Sequence, residues 1–268
     1  MLQLAIVGGS GWIDQWSGVG CRLRDATITQ TCKSAKQLAE PSFDAAIVEC
    51  ASDGSFVAEL GKPLMVPFDA SGLTDLALQC EQSGSLLTLF QPLRVLPSIQ
   101  TLRQDLASGN LGNLGLVRLH RWSHSTNSQL ANDLDVVLWL VGKKPTHVYA
   151  TGSDGVSQVH LGFDENEMAL LDYAELPAEE YYSLSVVASD GSAYADDHHN
   201  MNVLFDANGT RALTTSQGDL HLAAAANGFV AAVSSGSAAP IPVADAVRVQ
   251  SVLEAAKQSR ESGQVVSL

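Results

Sequence analysis

Basic residues are scarce in this chain. Its 268 residues include 15 Lys and Arg against 29 Asp and Glu, a formal net charge of -14. A surface of that sign repels phosphate backbones and anionic headgroups, which excludes nucleic acid and membrane surfaces as expected partners. Charged residues of either sign make up only 16 % and hydrophobic ones 46 %, so a sizeable core can be buried and wholesale disorder is excluded. Long apolar runs are also missing. None approaches the roughly 20 residues that span a bilayer. The first, residues 4–7, is too short for a signal-peptide core and lacks a basic leader, so cytoplasmic residence is the expectation. The four cysteines (Cys21, Cys32, Cys50, Cys80) are scattered, with no C-x-x-C and no His at ligand spacing. They read as plain reduced thiols rather than a zinc site or a disulfide framework. No G-x-S-x-G, Walker loop or H-E-x-x-H occurs, which leaves hydrolase and kinase chemistry without support.

What is present begins at the first residue, with MLQLAIVGGSGW. An apolar run stops in a glycine-rich turn, the pattern of a strand feeding a dinucleotide loop. Residues 3–7, 26–31, 45–50, 64–66 and 86–90 read as short strands, with a helix over 71–81 between the last two. Continuous rather than alternating apolar strands predict a parallel sheet covered on both faces, with one or more crossover helices reduced. A helix follows over 92–109, then a strand over 115–121 and a helix over 128–140 that stops at Gly142-Lys143-Lys144-Pro145. From residue 146 strands come in a run: 147–151, 156–163, 168–174, 182–188, 201–205 and 211–215. Helices over 220–234 and 243–262 close the chain. The expected fold class is α/β: a shortened, Rossmann-like doubly wound domain over 1–92, then an α+β domain over 93–268 with a largely antiparallel open sheet.

Four stretches resemble the glucose-fructose oxidoreductase / inositol dehydrogenase / MocA (GFO/IDH/MocA) family of NAD(P)-dependent oxidoreductases. The first is the strand–glycine opening. The second is Leu106-Ala107-Ser108-Gly109-Asn110-Leu111-Gly112 leading into Val117-Arg118-Leu119-His120. The third, Asn132-Asp133-Leu134-Asp135 through Trp139-Leu140-Val141-Gly142, is similar to the family's H-D-I-D-L-x-x-W-L-x-G helix. The fourth is the C-terminal run from Phe229 through Pro240-Ile241-Pro242, Ala244-Asp245-Ala246 and Glu254-Ala255-Ala256-Lys257 to Gly263-Gln264-Val265-Val266. The resemblance implies NAD or NADP as cofactor and hydride transfer on a sugar- or polyol-like substrate. It also implies a homo-oligomer formed through the open C-terminal sheet. In the family a Lys from an E-K-P motif, with an Asp and a His four residues apart on one helix, binds the hydroxyl and moves its proton.

At those positions the sequence departs. Phe68 stands for the lysine, Ser128 for the aspartate and Asn132 for the histidine, and none of them titrates as a base near neutral pH. Lys62 and Asp69 are the nearest ionisable neighbours of Phe68 in sequence, and His124 is a candidate site residue after the 115–121 strand. The cofactor loop is Gly8, Gly9, Ser10, Gly11 and Trp12, with Ser10 and Ile13 where the family's second and third glycines belong. No acid closes the second strand, where Lys33 reads as a solvated surface residue. His198-His199 behind Asp196-Asp197 suggests a metal, but no spacing fixes a third ligand, so a polar hairpin tip is the reading. Trp139 is expected in a core, and Tyr181-Tyr182 at the start of a strand. Two functional readings follow: an oxidoreductase with its catalytic groups re-supplied, or a non-catalytic relative acting as a metabolite-binding or partner subunit.

Overall fold

The computed structural model describes residues 1–38, 42–123, 127–153, 155–175, 181–196, 201–206, 209–212 and 220–268. The chain forms two compact units. Met1–Val95 and Gln217–Val247 make the first, and Leu96–Ser216 with Arg248–Leu268 make the second.

The first unit is built on a five-stranded parallel sheet: β1 (Leu2–Val7), β2 (Ala26–Cys32), β3 (Ala45–Val48), β4 (Leu64–Pro67) and β5 (Leu87–Phe90), in the order β2-β1-β3-β4-β5. Strands β1 and β3 pair Leu4 with Ala45 through Val7 with Val48, and every residue in those two runs is buried. Burial on both faces explains why these strands read as continuous apolar runs. The crossovers are α1 (Ser10–Ser17), α2 (Ala51–Glu59) and α3 (Leu73–Ser83), while among the described residues the link from β2 to β3 holds one 3-10 turn, Ala35–Gln37. The expected reduction of a crossover falls at that connection. Neither α1 nor α2 is legible in the sequence. Each is eight or nine residues long with an internal glycine, too short for a 3.6-residue period to show.

The chain returns to this unit with α6 (Leu220–Ser235). Leu222, Ala223, Ala226, Phe229 and Val230 of α6 bury against Leu4, Ile6, Trp16 and Met65 in one core cluster. The segment after α6 covers the edge of β5: Leu89 N–H donates to the Ile241 carbonyl at 2.9 Å, and Ile241 N–H to Thr88 Oγ1 at 3.1 Å. An edge strand's unpaired groups are thereby satisfied. Arg94 and Asp245 close the same corner as a 2.8 Å ion pair.

The second unit holds nine strands: β6 (Leu114–Ser123), β7 (His147–Ser153), β8 (Val156–Gly162), β9 (Met168–Glu175), β10 (Tyr181–Ala188), β11 (Ser192–Asp196), β12 (Met201–Asp206), β13 (Gly209–Ala212) and β14 (Val266–Ser267). Their order is β13-β12-β11-β10-β6-β9-β8-β7-β14, and among the described residues only β6 and β9 run parallel. Strand β11 is absent from the sequence expectation, and the predicted strand over 211–215 runs instead over Gly209–Ala212, the remainder lying outside the described residues. The helices are α4 (Pro97–Ala107), α5 (Asn127–Val141) and the later part of α7 (Val243–Ser262). The single helix expected over 92–109 is in fact a 3-10 turn, Leu93–Val95, followed by α4. Pro97 takes the first helical position because a proline further inside would remove a helical hydrogen bond.

Candidate functional site

In the first unit the C-terminal ends of β1, β3 and β4 bring three loops together. Strand order reverses between β1 and β3, since one connection leads outward to β2 and the next to β4. Such a reversal leaves a crevice at the carboxyl ends of the strands, where ligands of doubly wound sheets bind. Its β1 wall is Gly8-Gly9, with Gly9 at the N-cap of α1 and Ser10 opening the helix, and no side chain of α1 caps that end. Ile13 N–H makes the first helical bond to the Gly9 carbonyl at 3.0 Å, and the Ile13 side chain packs against the core cluster rather than being excluded by the strand. Trp12 leans back against Trp16, their rings 5.5 Å apart, and Trp16 meets Phe90 edge-on at 5.1 Å.

The β3 wall is Glu49, the first residue after the strand. Its N–H donates to the Val7 carbonyl at 2.9 Å, which fixes its backbone beside β1. Its Oε2 accepts the Gly9 N–H at 2.5 Å. Gly8 has no room for anything larger than hydrogen there: a Cβ would lie 2.6 Å from Trp12 Cδ1 and 2.7 Å from both Glu49 Cβ and Oε2. The amide that a pyrophosphate would take at this helix N-terminus already holds a carboxylate. As it stands, the Gly9 amide is not free for a dinucleotide's pyrophosphate. The sequence gives a weak signal for this residue, because Glu49 reads as the tail of a buried strand.

Phe68 follows β4 directly. It is 3 % exposed, and its N–H donates to the Phe90 carbonyl at 3.0 Å, so the position expected for a lysine is sealed by an aromatic ring. Asp69 beside it is exposed. Lys62 lies before β4, at the opposite end of the strand from Phe68, with its ammonium 5.6 Å from the Phe43 ring centroid. It does not lie beside Phe68. At the end of β2, Lys33 is exposed, and Asp53 of α2 supplies the acid that organises the loop. Its Oδ1 accepts Ser34 Oγ at 3.0 Å and Ala35 N–H at 2.8 Å.

In the second unit α5 carries Ser128 and the half-buried Asn132. The chemistry on this helix belongs to the next residue. Asp133, fully buried, takes a two-pronged contact from Arg121 of β6 at 2.5 and 2.7 Å and the Tyr173 hydroxyl of β9 at 2.9 Å. The Arg121 guanidinium lies 4.8 Å over the Tyr182 ring. Burial works against the Arg121 charge, but the Asp133 hydrogen bonds and carboxylate outweigh it and hold the guanidinium protonated above its ordinary range. Burial and the Asp133 charge push the Tyr173 phenol well above its usual value, so it stays a donor. The Arg121–Asp133–Tyr173 cluster escapes sequence reading because its members come from three elements.

Trp139 is only partly buried, stacked under the Arg103 guanidinium at 5.6 Å, where a core position is expected. Tyr181 and Tyr182 do open β10, pointing to opposite faces of the sheet. His124 and the His198-His199 pair lie outside the described residues, as does Asp197. Among the described residues no cluster of His, Cys, Asp and Glu could hold a metal ion, and no helix is long and apolar enough to cross a membrane.

No protein-family model and no curated protein matches this sequence. Solved structures do match its fold. An oxidoreductase from Agrobacterium radiobacter, solved in complex with NAD+, L-tartaric acid and magnesium, superposes with a TM-score of 0.82 at 15 % identity, over 99 % of this chain and 98 % of that one. Aldose-aldose oxidoreductase from Caulobacter crescentus, complexed with glycerol, gives 0.83 at 14 % identity over 100 % and 99 %. Apo scyllo-inositol dehydrogenase from Lactobacillus casei gives 0.75 at 14 % identity over 100 % and 98 %. A five-stranded parallel unit, a largely antiparallel nine-stranded unit and full-length similarity to these proteins give the chain the fold of the GFO/IDH/MocA-type oxidoreductases.

Proposed function

We propose that this chain keeps the fold of those oxidoreductases without their hydride-transfer chemistry, and serves as a metabolite-binding or partner subunit. The observation that carries this reading is Phe68: the residue at the lysine position is an aromatic ring sealed into the end of β4. Asn132 and Ser128 add to it, since an amide and a hydroxyl cannot relay a proton near neutral pH as His and Asp do. The second reading, NAD(P)-dependent oxidation of a sugar or polyol, is favoured by the NAD+ bound to the Agrobacterium radiobacter neighbour. Fold likeness does not transfer activity, because function resides in the residues of the site. The open face of the nine-stranded sheet is proposed to pair two copies of the chain.

The test is a turnover assay. The purified protein is incubated with inositols, aldoses, glycerol or tartrate and either NAD+ or NADP+, and reduced nicotinamide is followed by its absorbance. No rate above the protein-free control is expected with any pair. Sustained turnover of any one substrate overturns the non-catalytic reading.

A further inference from the structure

The crevice at the strand-order reversal carries a charge that neither the fold nor the proposed function calls for. We propose that Glu49 is the resident anion of the β1–α1 turn: its carboxylate holds the Gly9 N–H and closes the turn to nicotinamide dinucleotides. The inference rests on the non-catalytic reading above and explains how the cofactor site itself was lost.

Two features make Glu49 more than a chance surface contact. The hydrogen bond is short, 2.5 Å, and joins a carboxylate to a backbone amide at the start of a helix, where partial positive charge gathers. The backbone and Cβ that carry the charge are also fixed. Glu49 N–H is bonded to the Val7 carbonyl, and its Cβ sits against Gly8 so closely that a Cβ on Gly8 would fall 2.7 Å away. The carboxylate is solvent-exposed and can rotate. From that Cβ, however, every rotamer keeps it within a side chain's length of the turn. A pyrophosphate placed on Gly9 must therefore give up that residue's amide, or share it with a like charge a few ångströms off. At such a distance like charges repel, more strongly where water is excluded and less once salt screens them. Ser10 and Ile13 do not produce this exclusion. Ser10 opens the helix without crowding, and Ile13 is accommodated in the core.

The test measures binding of NADH, NADPH and inorganic pyrophosphate to the wild-type chain and to Glu49→Gln and Glu49→Ala, by titration calorimetry and thermal shift. Asp14→Asn serves as the control, since Asp14 is an exposed acid on α1 whose loss changes net charge equally. Circular dichroism checks the fold, and Glu49→Gln, which keeps the side chain's length, carries the result if the alanine variant melts early. No saturable binding is expected for wild type or Asp14→Asn at millimolar ligand. Both Glu49 variants should bind pyrophosphate and NADH on the order of 10- to 100-fold more tightly than wild type. Equal affinity in wild type and variants overturns the proposal, and so does a folded pair of variants with no gain. Wild-type turnover of a polyol overturns the non-catalytic reading, whereas wild-type NADH binding without turnover overturns the role of Glu49 alone.

Discussion

At the residue scale the clearest energetic stake is Asp133, whose carboxylate is fully buried and answered by Arg121 and Tyr173. Removing one partner of a buried ion pair leaves a bare charge behind, at a cost of about 3–5 kcal/mol. Arg121→Met should therefore lower unfolding free energy by about that amount in urea titration, and adding Asp133→Leu should restore much of the loss. Cys80 offers a pH-dependent counterpart. It is 2 % exposed, and burial pushes its thiol up to about 11 from 9.0. The folded state holds the proton more tightly than the unfolded one, so its stabilising share is complete below pH 9 and lost as pH climbs toward 11. Cys80→Ala should flatten the fall in melting temperature across that window relative to wild type; parallel curves would refute the assignment. Residues of this kind divide sharply in legibility. Phe68, Ser128 and Asn132 are singled out in the sequence because the family resemblance says where to look. Glu49 and the Arg121–Asp133 pair are not, because what matters about each is a neighbour 40 or 12 positions away in the chain.

At the element scale, long or strongly patterned segments are readable and short ones are not. The strands other than β11 and β14, together with α3, α5, α6 and α7, follow the apolar spacing, whereas α1 and α2 are helices made by their place between strands rather than by period. Their glycines show how differently that place treats one residue type. On α1, Gly11 is exposed, and a Cβ there meets nothing within 4 Å. Gly11→Ala should raise stability by about 0.5–1 kcal/mol through helix propensity and a less flexible unfolded chain. On α2, a Cβ at Gly54 would lie 3.0 Å from Leu76 Cδ2 and 3.1 Å from Leu64 Cδ1. Gly54→Val places an isopropyl group in that seam and should destabilise by about 1–3 kcal/mol. Chemical denaturation of the two variants should give shifts of opposite sign, and a shared sign would contradict the packing described for one of the helices.

At the scale of the whole molecule, the order of elements and both sheet types are legible, but the destination of α6 is not. Its apolar face specifies burial without specifying which sheet buries it, and only the folded chain shows Phe229 and Ala226 beside Leu4 and Ile6. The same gap between pattern and partner applies to the outer face of the nine-stranded sheet. Trp122, Tyr149, Val156, Met168 and Val187 are among the exposed large hydrophobics, and strand pairing puts all five on that one face. Around them Arg118 and Gln158 bind Asp172 at 3.0 and 2.6 Å, and Trp122, Tyr181 and His120 meet ring to ring at 5.0–5.8 Å. Exposed apolar side chains gathered on one sheet face, with a satisfied polar cluster beside them, are what a self-complementary two-fold interface requires. Light scattering at micromolar concentration should therefore report a dimer or a larger even assembly. Met168→Glu with Val187→Glu places four like charges across a two-fold contact and should give a monomer with an unchanged circular dichroism spectrum. A wild-type monomer, or a double variant that still assembles, would remove this face from consideration as the contact between copies.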